Sequence, residues 1–561
     1  MKQFAIPRLM LSELLNQSFL PFILRSCTRL FAYYMAVSAS SVMANPQNSA
    51  SQPQPLMSTD VEQVPGTIVL DKFEVIGNRV LPESEIDKLL EPYLMRPISF
   101  IELMEVQQRI TKLYVERGYF TSGAYIPPQT VKNRTVKIEI IEGSIEEIKI
   151  YGLQDLHPGY IQRRIESATQ PPVNQEQLLK ALQLLQLDPL IKNITAELSQ
   201  GVNPGQSYLE VEVEEADSFF TELTLDNYRT SSVGSFSRQL AISDQNLLGF
   251  GDRFDVSYIN TDGSNSLENL SYTIPLGTIN NKLRLGYSIS SSDIITEPFQ
   301  DLDLSSKNRY LELSYRHPLW ETPTQVVALG LILSHQDTQL SLMDIGFPTL
   351  ARGSDLEGTT KVSALRLIQE YSDRGSSHVF AIRSQFNIGL NAFDATSNPD
   401  GIPDSSFLVW RGQLQYLRML SPRTNILLRS ELQLADRGLV SQEQFSAGGA
   451  LSARGYAQDL ALGDNGFFAS AELVNLLWQT SAENLTLELN PFFDFARVWN
   501  SDKLPLDTST LVSLGLGLQF SIKDSLIARL DWGLPLIEAQ DLPGDSLQEN
   551  GFYFSVKFKP F

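Results

Sequence analysis

The stretch Val512-Ser513-Leu514-Gly515-Leu516-Gly517-Leu518-Gln519-Phe520-Ser521-Ile522 is apolar at every even position and carries only Ser, Gly or Gln at the odd ones. A period of two is the strand period, because successive side chains of a strand point to opposite faces. The same alternation, in short segments closed by polar, Gly- or Pro-containing turns, runs from about Phe219 to Phe561 with very little helical periodicity. Its polar face includes Glu, Arg, Asp and Asn as well as small residues. Charge on one face and leucine on the other, sustained over so many strands, implies a closed transmembrane barrel with lipid outside and water inside. A soluble sandwich would have to hold an unusually large number of strands.

Sixteen strands can be counted, among them 306–316, 324–337 and 358–371. An even number brings both ends of the barrel to one side, and parity then sends the odd-numbered connections outward. The segment 436–464, between strands eleven and twelve, is therefore the sixth outer loop. It runs to about thirty residues, a length at which loops are usually functional or disordered. A second long connection lies around Asp337 to Glu357. In strand thirteen Leu485, Leu487 and Leu489 share one face, which leaves Asp494 with Glu488 and Asn490 on the lumen side. The closing segment Phe552, Phe554, Val556 and Phe558 supplies aromatic weight suited to a bilayer interface.

Two copies of a smaller unit precede the barrel, offset by about 75 residues. The first, 67–143, opens with Phe73-x-Val75-x-Gly77-Asn78 and has a short helix near Ser84 to Leu90. Ser99 and Glu102 then form a capping box ahead of the stripe Leu103, Val106, Ile110, Leu113, and strands follow at Thr121 to Ile126 and at Val136 to Ile140. The second, 144–216, repeats the strand at Ile148, Ile150, Gly152 and the helix at Tyr160 to Ala168. In it Asn174 caps Leu178, Leu182, Leu185, and the end alternates Leu209, Val211, Val213 with glutamates. Both read as β-α-α-β-β, α+β domains whose small sheets leave edges open to strand addition.

Residues 1–44 carry Lys2, Arg8, Arg25 and Arg29 against Glu13, then an apolar run near Leu30 to Val37 and small residues ending at Ala44. This predicts a secretory signal peptide cleaved after Ala44, followed by a Pro-, Gln- and Ser-rich linker at 45–66. The one cysteine of the chain, Cys27, would leave with the signal, consistent with an oxidising compartment. The net charge of −21 would become about −24, which excludes nucleic-acid binding through a general basic field.

The sixth loop contains Phe445-Ser-Ala-Gly-Gly-Ala-Leu-Ser-Ala-Arg-Gly-Tyr456. Together with the two preceding units and the strand count, it resembles the TpsB transporters of two-partner secretion, relatives of the barrel-assembly insertases, and the units resemble POTRA domains. The family's Val-Arg-Gly-Tyr/Phe is matched by Ala453-Arg454-Gly455-Tyr456, with Gly448 and Gly449 before it. Its Phe-x-Asp-x-Gly is matched by Phe492-Phe493-Asp494-Phe495-Ala496. Ala453 and Ala496 depart from the usual Val and Gly, and 45–66 is too Pro-rich for the plug helix of many relatives. The resemblance implies that the loop folds into the lumen and that Arg454 meets Asp494. It further implies an outer-membrane pore whose POTRA domains, in the periplasm, capture an unfolded β-rich exoprotein. Its partners would be that exoprotein, outer-membrane lipid and, during biogenesis, the barrel-assembly machinery. Pro560 throws Phe561 out of register, so Phe558 becomes a candidate for the terminal signal. An insertase of the same superfamily is the alternative, although only two POTRA copies are visible. A passive solute porin would leave those copies and the Arg454 motif unexplained.

Enzyme signatures are poor. His157, His317, His335 and His378 lie in different elements without metal-ligand spacing. No Gly-x-Ser-x-Gly elbow, phosphate-binding loop or mature cysteine occurs, so neither catalysis nor a cofactor or metal is expected.

Overall fold

A computed structural model describes residues 66–560, apart from 278–279, 298, 344, 347–350, 400, 481–484, 503–505, 507 and 540–545. The expected signal peptide, all of the linker but Gly66, and Phe561 lie outside the described residues. The chain divides into two compact units at Ala216/Asp217.

The first unit holds two three-stranded sheets of one topology. β1 (Lys72–Ile76), α1 (Glu83–Leu90), α2 (Phe100–Glu116), β2 (Gly123–Tyr125) and β3 (Thr135–Ile141) make a sheet of order β1-β3-β2, with β1 and β3 parallel. β4 (Ser144–Tyr151), α3 (Pro158–Ala168), α4 (Gln175–Gln186), β5 (Ile191–Gln200) and β6 (Gln206–Glu215) repeat it as β4-β6-β5, with β4 and β6 parallel.

The helices start where the caps predict. Ser99 Oγ accepts from the Glu102 N–H at 3.3 Å while the Glu102 carboxylate accepts from the Ser99 N–H at 2.7 Å, and Asn174 Oδ1 accepts from the N–H groups of Glu176 and Gln177. The stripe Leu103, Val106, Ile110 is buried against Val136, Ile138 and Ile140. The repeat is exact at its first turn: Gly77 and Gly152 both have positive φ, and a Cβ would lie 2.5 Å from the Ile140 carbonyl oxygen in one copy and 2.3 Å from that of Val213 in the other. Only glycine lets the first strand turn this close to the third.

The second unit is a closed antiparallel barrel. Its sixteen spanning strands are β7 (Phe219–Asp226), β8 (Ser237–Asp244), β9 (Arg253–Asn260), β10 (Ser264–Leu276), β11 (Asn281–Asp293), β12 (Leu304–Glu321), β13 (Gln325–Leu342), β14 (Thr359–Arg374), β15 (His378–Leu390), β16 (Leu408–Ser421), β17 (Thr424–Ala435), β18 (Asn465–Gln479), β19 (Leu485–Trp499), β20 (Thr510–Ile522), β21 (Leu526–Pro535) and β22 (Phe552–Phe558). β22 closes on β7 through four residue pairs, Ser555 with Asp226 to Phe558 with Leu223. In β20 the even positions Leu514, Leu516 and Leu518 face outward, whereas Ser513, Gln519 and Ser521 are buried inside, as the alternation requires.

β12 and β13 are longer than the sequence pattern indicates. Eighteen residues each at about 3.3 Å per residue reach roughly 60 Å, well beyond an apolar band of ~25 Å. The segment Thr338–Leu342 pairs with Leu304–Asn308, which shortens the connection expected from Asp337 onward. At the other end a bulge between Pro318 and Trp320 carries the strand beyond the expected end at 316.

Candidate functional site

The loop 436–464 turns into the barrel. A three-residue hairpin, Phe445–Ala447 against Ala461–Gly463, forms its stem, and Phe445, Ala447, Ala453, Tyr456 and Ala461 bury against Phe468, Ala496, Val498 and Leu511 of β18, β19 and β20. Ala453 and Ala496, the two departures from the family pattern, are both fully buried in this contact.

Arg454, at the tip, is the largest fully buried side chain among the described residues, 1% exposed. Its Nε and Nη2 donate to the two oxygens of Asp494 at 2.8 and 3.0 Å, a bidentate fork, and its backbone N–H reaches Asp494 Oδ2 at 3.2 Å. Nη1 donates to Glu472 Oε2 at 2.7 Å and stands 3.6 Å from Asp531 Oδ1. Ser470 Oγ donates to Asp494 Oδ1 at 2.6 Å. Arg529 bridges the other two acids, at 2.9 Å from Glu472 Oε1 and 2.7 Å from Asp531 Oδ2. Two guanidinium groups thus serve three buried carboxylates.

The guanidinium lies over the Phe492 ring, 3.4 Å from its centroid, a cation–π contact in a dry site. Phe492 in turn needs Gly515, where a Cβ would come within 2.2 Å of the ring. That is why β20 has a glycine on its lumen face here.

The neighbours of Arg454 are pinned separately. Gly455, with positive φ, sits on the backbone of β21. A Cβ on Gly533 would be 2.5 Å from the Gly455 nitrogen and 2.6 Å from the Arg454 carbonyl carbon. The Gly455 N–H donates to Tyr553 Oη at 2.9 Å, and the same hydroxyl donates to the Tyr456 carbonyl. Tyr456 Oη donates to the Val512 carbonyl at 2.8 Å. Gly448 and Gly449, also at positive φ, sharpen the turn that leads into the tip. At the loop's start Glu443 takes two bonds from Arg366 of β14, at 2.7 and 3.1 Å.

The structure therefore brings together Arg454, Gly455, Tyr456, Asp494, Gly448, Gly449 and Phe492, all singled out in the sequence. Sequence reasoning missed Glu472, Asp531, Arg529, Gly533 and Tyr553. The first three lie at lumen-facing positions of alternating strands, a signal present but shared by many other charges. Gly533, a lumen-facing glycine in a strand, carries the signal of a close backbone approach.

The chain matches the family model described as haemolysin secretion/activation protein ShlB/FhaC/HecB over residues 205–520, and the ShlB-type POTRA domain over 68–143. It is 22% identical over 507 residues to the heme/hemopexin transporter protein HuxB of Haemophilus influenzae, covering 86% of this chain and 85% of that one. It is also 22% identical to the outer membrane transporter CdiB of Dickeya dadantii, covering 76% and 75%. In fold it is similar to the solved CdiB from Escherichia coli, with a TM-score of 0.66, 20% identity and coverage of 97% of this chain and 100% of that one. The chain thus belongs to the ShlB/FhaC/HecB family, the TpsB-type transporters of two-partner secretion.

Proposed function

We propose that this chain is an outer-membrane pore that exports a β-rich polypeptide, with its two POTRA domains in the periplasm and its sixth outer loop acting as a lock in the lumen. Transport, and not catalysis, is the activity assigned. The observation that carries the reading is the loop itself, folded into its own barrel and held by Arg454 against Asp494, Glu472 and Asp531. A permanently open solute pore has no use for such a device.

Capture would use sheet edges. In the second POTRA sheet β5 is an edge strand of ten residues. The Gln186 side chain caps its start at Lys192 O and Ile194 N–H, and Ala196 to Gln200 remain as the stretch to which an extended peptide would add, by main-chain hydrogen bonds tolerant of sequence. Export would draw on the folding of the substrate outside, since the chain offers no nucleotide-binding motif. The even strand count supports a periplasmic placement of the POTRA domains, since it puts both barrel ends on the side where the soluble units join.

The test is co-expression with a candidate β-rich exoprotein, reading that protein in the medium with and without this chain and with Arg454→Ala. Export that depends on the chain and falls in the variant supports the reading. Undiminished export by an assembled Arg454→Ala barrel removes the loop's role. Loss of many outer-membrane proteins on depletion would favour an insertase.

A further inference from the structure

The lumen is divided by charge. Cross-strand partners share a face, and the registers carry the lumen-facing set from Asp494 through Ser470 to Arg429. They carry it on from Arg366 through Ile332 and Ser314 to Arg284. On β11 to β17 the inward positions include Arg284, Arg316, Arg366, Arg383, Arg411 and Arg429, against Glu312, Glu370 and Glu431. On β18 to β22 and β7 to β9 the balance is inverted. Glu472, Glu488, Asp494, Asp531, Asp226 and Asp255 outnumber Arg253, Arg529 and Lys557 there. One half of the barrel wall is basic and the other acidic, inside a chain whose net charge is −21.

The sixth loop covers the two halves unequally. Its tip is packed on the acidic half, where Asp494, Glu472 and Asp531 are at most 3% exposed. On the basic half the side chains of Arg284, Arg316 and Arg411 remain 33%, 25% and 42% exposed even though each has a glutamate partner. Solvent therefore reaches the wall beside these arginines, as it does beside Arg253 and Asp255, 38% and 20% exposed, away from the loop tip. On that wall a carboxylate is already bound, Glu443 of the loop on Arg366.

We infer that the basic wall is the track of the exported polypeptide and that it takes acidic, carboxylate-bearing segments of an extended chain, with Glu443 holding one such position at rest. This rests on the export reading given above. Arginine suits the task because its planar fork binds carboxylates bidentately, and in a half-exposed site each contact is weak enough to be exchanged as the chain moves. The acidic half then serves a different purpose, holding Arg454.

The experiment compares a Gly-Glu repeat peptide with its Gly-Lys counterpart on the purified full-length chain in planar bilayers. Events of current block are counted at low and high salt. The acidic peptide is expected to block about tenfold more often at low salt, with the difference shrinking at high salt as charges are screened. The triple variant Arg284→Gln, Arg316→Gln, Arg411→Gln should lose or reverse the preference, and the corresponding Arg→Lys triple should keep it. Fluorescence anisotropy of the same labelled peptides with the detergent-solubilised chain reads the wall whether or not the pore conducts. Equal behaviour of the two peptides, or a preference that survives the Gln triple with its barrel assembled, overturns the inference. Preference for the acidic peptide without any exported protein would leave the wall standing and remove the export reading. Export undiminished by the Gln triple would remove the track while leaving export intact.

Discussion

Replacing Arg454 with alanine should release the sixth loop from the barrel wall. The guanidinium makes a bidentate contact to Asp494 and a 2.7 Å contact to Glu472, and all three groups are at most 2% exposed. This places the pair in the buried class, where removing one partner costs about 3–5 kcal/mol because the other charge is stranded. At 1.4 kcal/mol per tenfold, the docked-to-released ratio of the loop should fall by a factor of roughly one hundred to several thousand. Hydrogen exchange of peptides covering 445–463 measures that opening directly. The double variant Arg454→Ala, Asp494→Ala should open less than Arg454→Ala alone, since it removes the stranded acid while Arg529 still serves Glu472 at 2.9 Å. Arg454→Lys should fall between, because an ammonium cannot span both oxygens of Asp494. An opening free energy that changes by less than about 1 kcal/mol in Arg454→Ala, the value of a surface pair, would refute the assignment of a buried lock.

Gly533→Ala should loosen the same loop without touching a charge, because the added Cβ would meet the Gly455 nitrogen at 2.5 Å; exchange in 445–463 should rise, while heat-modifiable electrophoretic mobility shows that the barrel still closes. Tyr553→Phe removes the hydroxyl that joins the Gly455 N–H to the Tyr456 carbonyl. It should cost about 1–3 kcal/mol in the same assay for the buried groups left unpaired. In the first POTRA domain the Ser99 N–H, then Arg96, hold the Glu102 carboxyl below its ordinary value. A carboxylate whose folded value is depressed stabilises above its unfolded value and loses that contribution as pH falls through the folded one. Exchange at the start of α2 should therefore quicken on acidification below pH 4.5, and Glu102→Gln, which cannot ionise, should abolish that dependence.

Much of this was legible because it is local. The strand period is written in consecutive residues, and the two caps, at Ser99 and Asn174, sit beside the helices they start. Counting strands made 436–464 an outer loop, and parity put Asp494 on the lumen face. The failures arise where local signals compete with tertiary pairing. The alternation ends a strand at 316, yet β12 runs on through a bulge beyond Pro318 to Glu321. Nothing in the residues beside Gly515 and Gly533 names their partners, yet one makes room for Phe492 and the other for the loop backbone.

By itself the sequence determined the barrel, its strand number, the repeated α+β units and the Arg454 motif, since each rests on periodicity or on neighbours a few residues apart. Only the tertiary structure decided that Arg454 meets Glu472 and Asp531 as well as Asp494. Alternation says which residues face the lumen but not at what height, and height is set by the stagger of β18, β19 and β21 across the closed wall. It also decided the division of the lumen into a basic and an acidic half. A net charge of −21 is a sum over the whole chain, whereas the field a passing polypeptide meets depends on which strands stand side by side once the ring is closed.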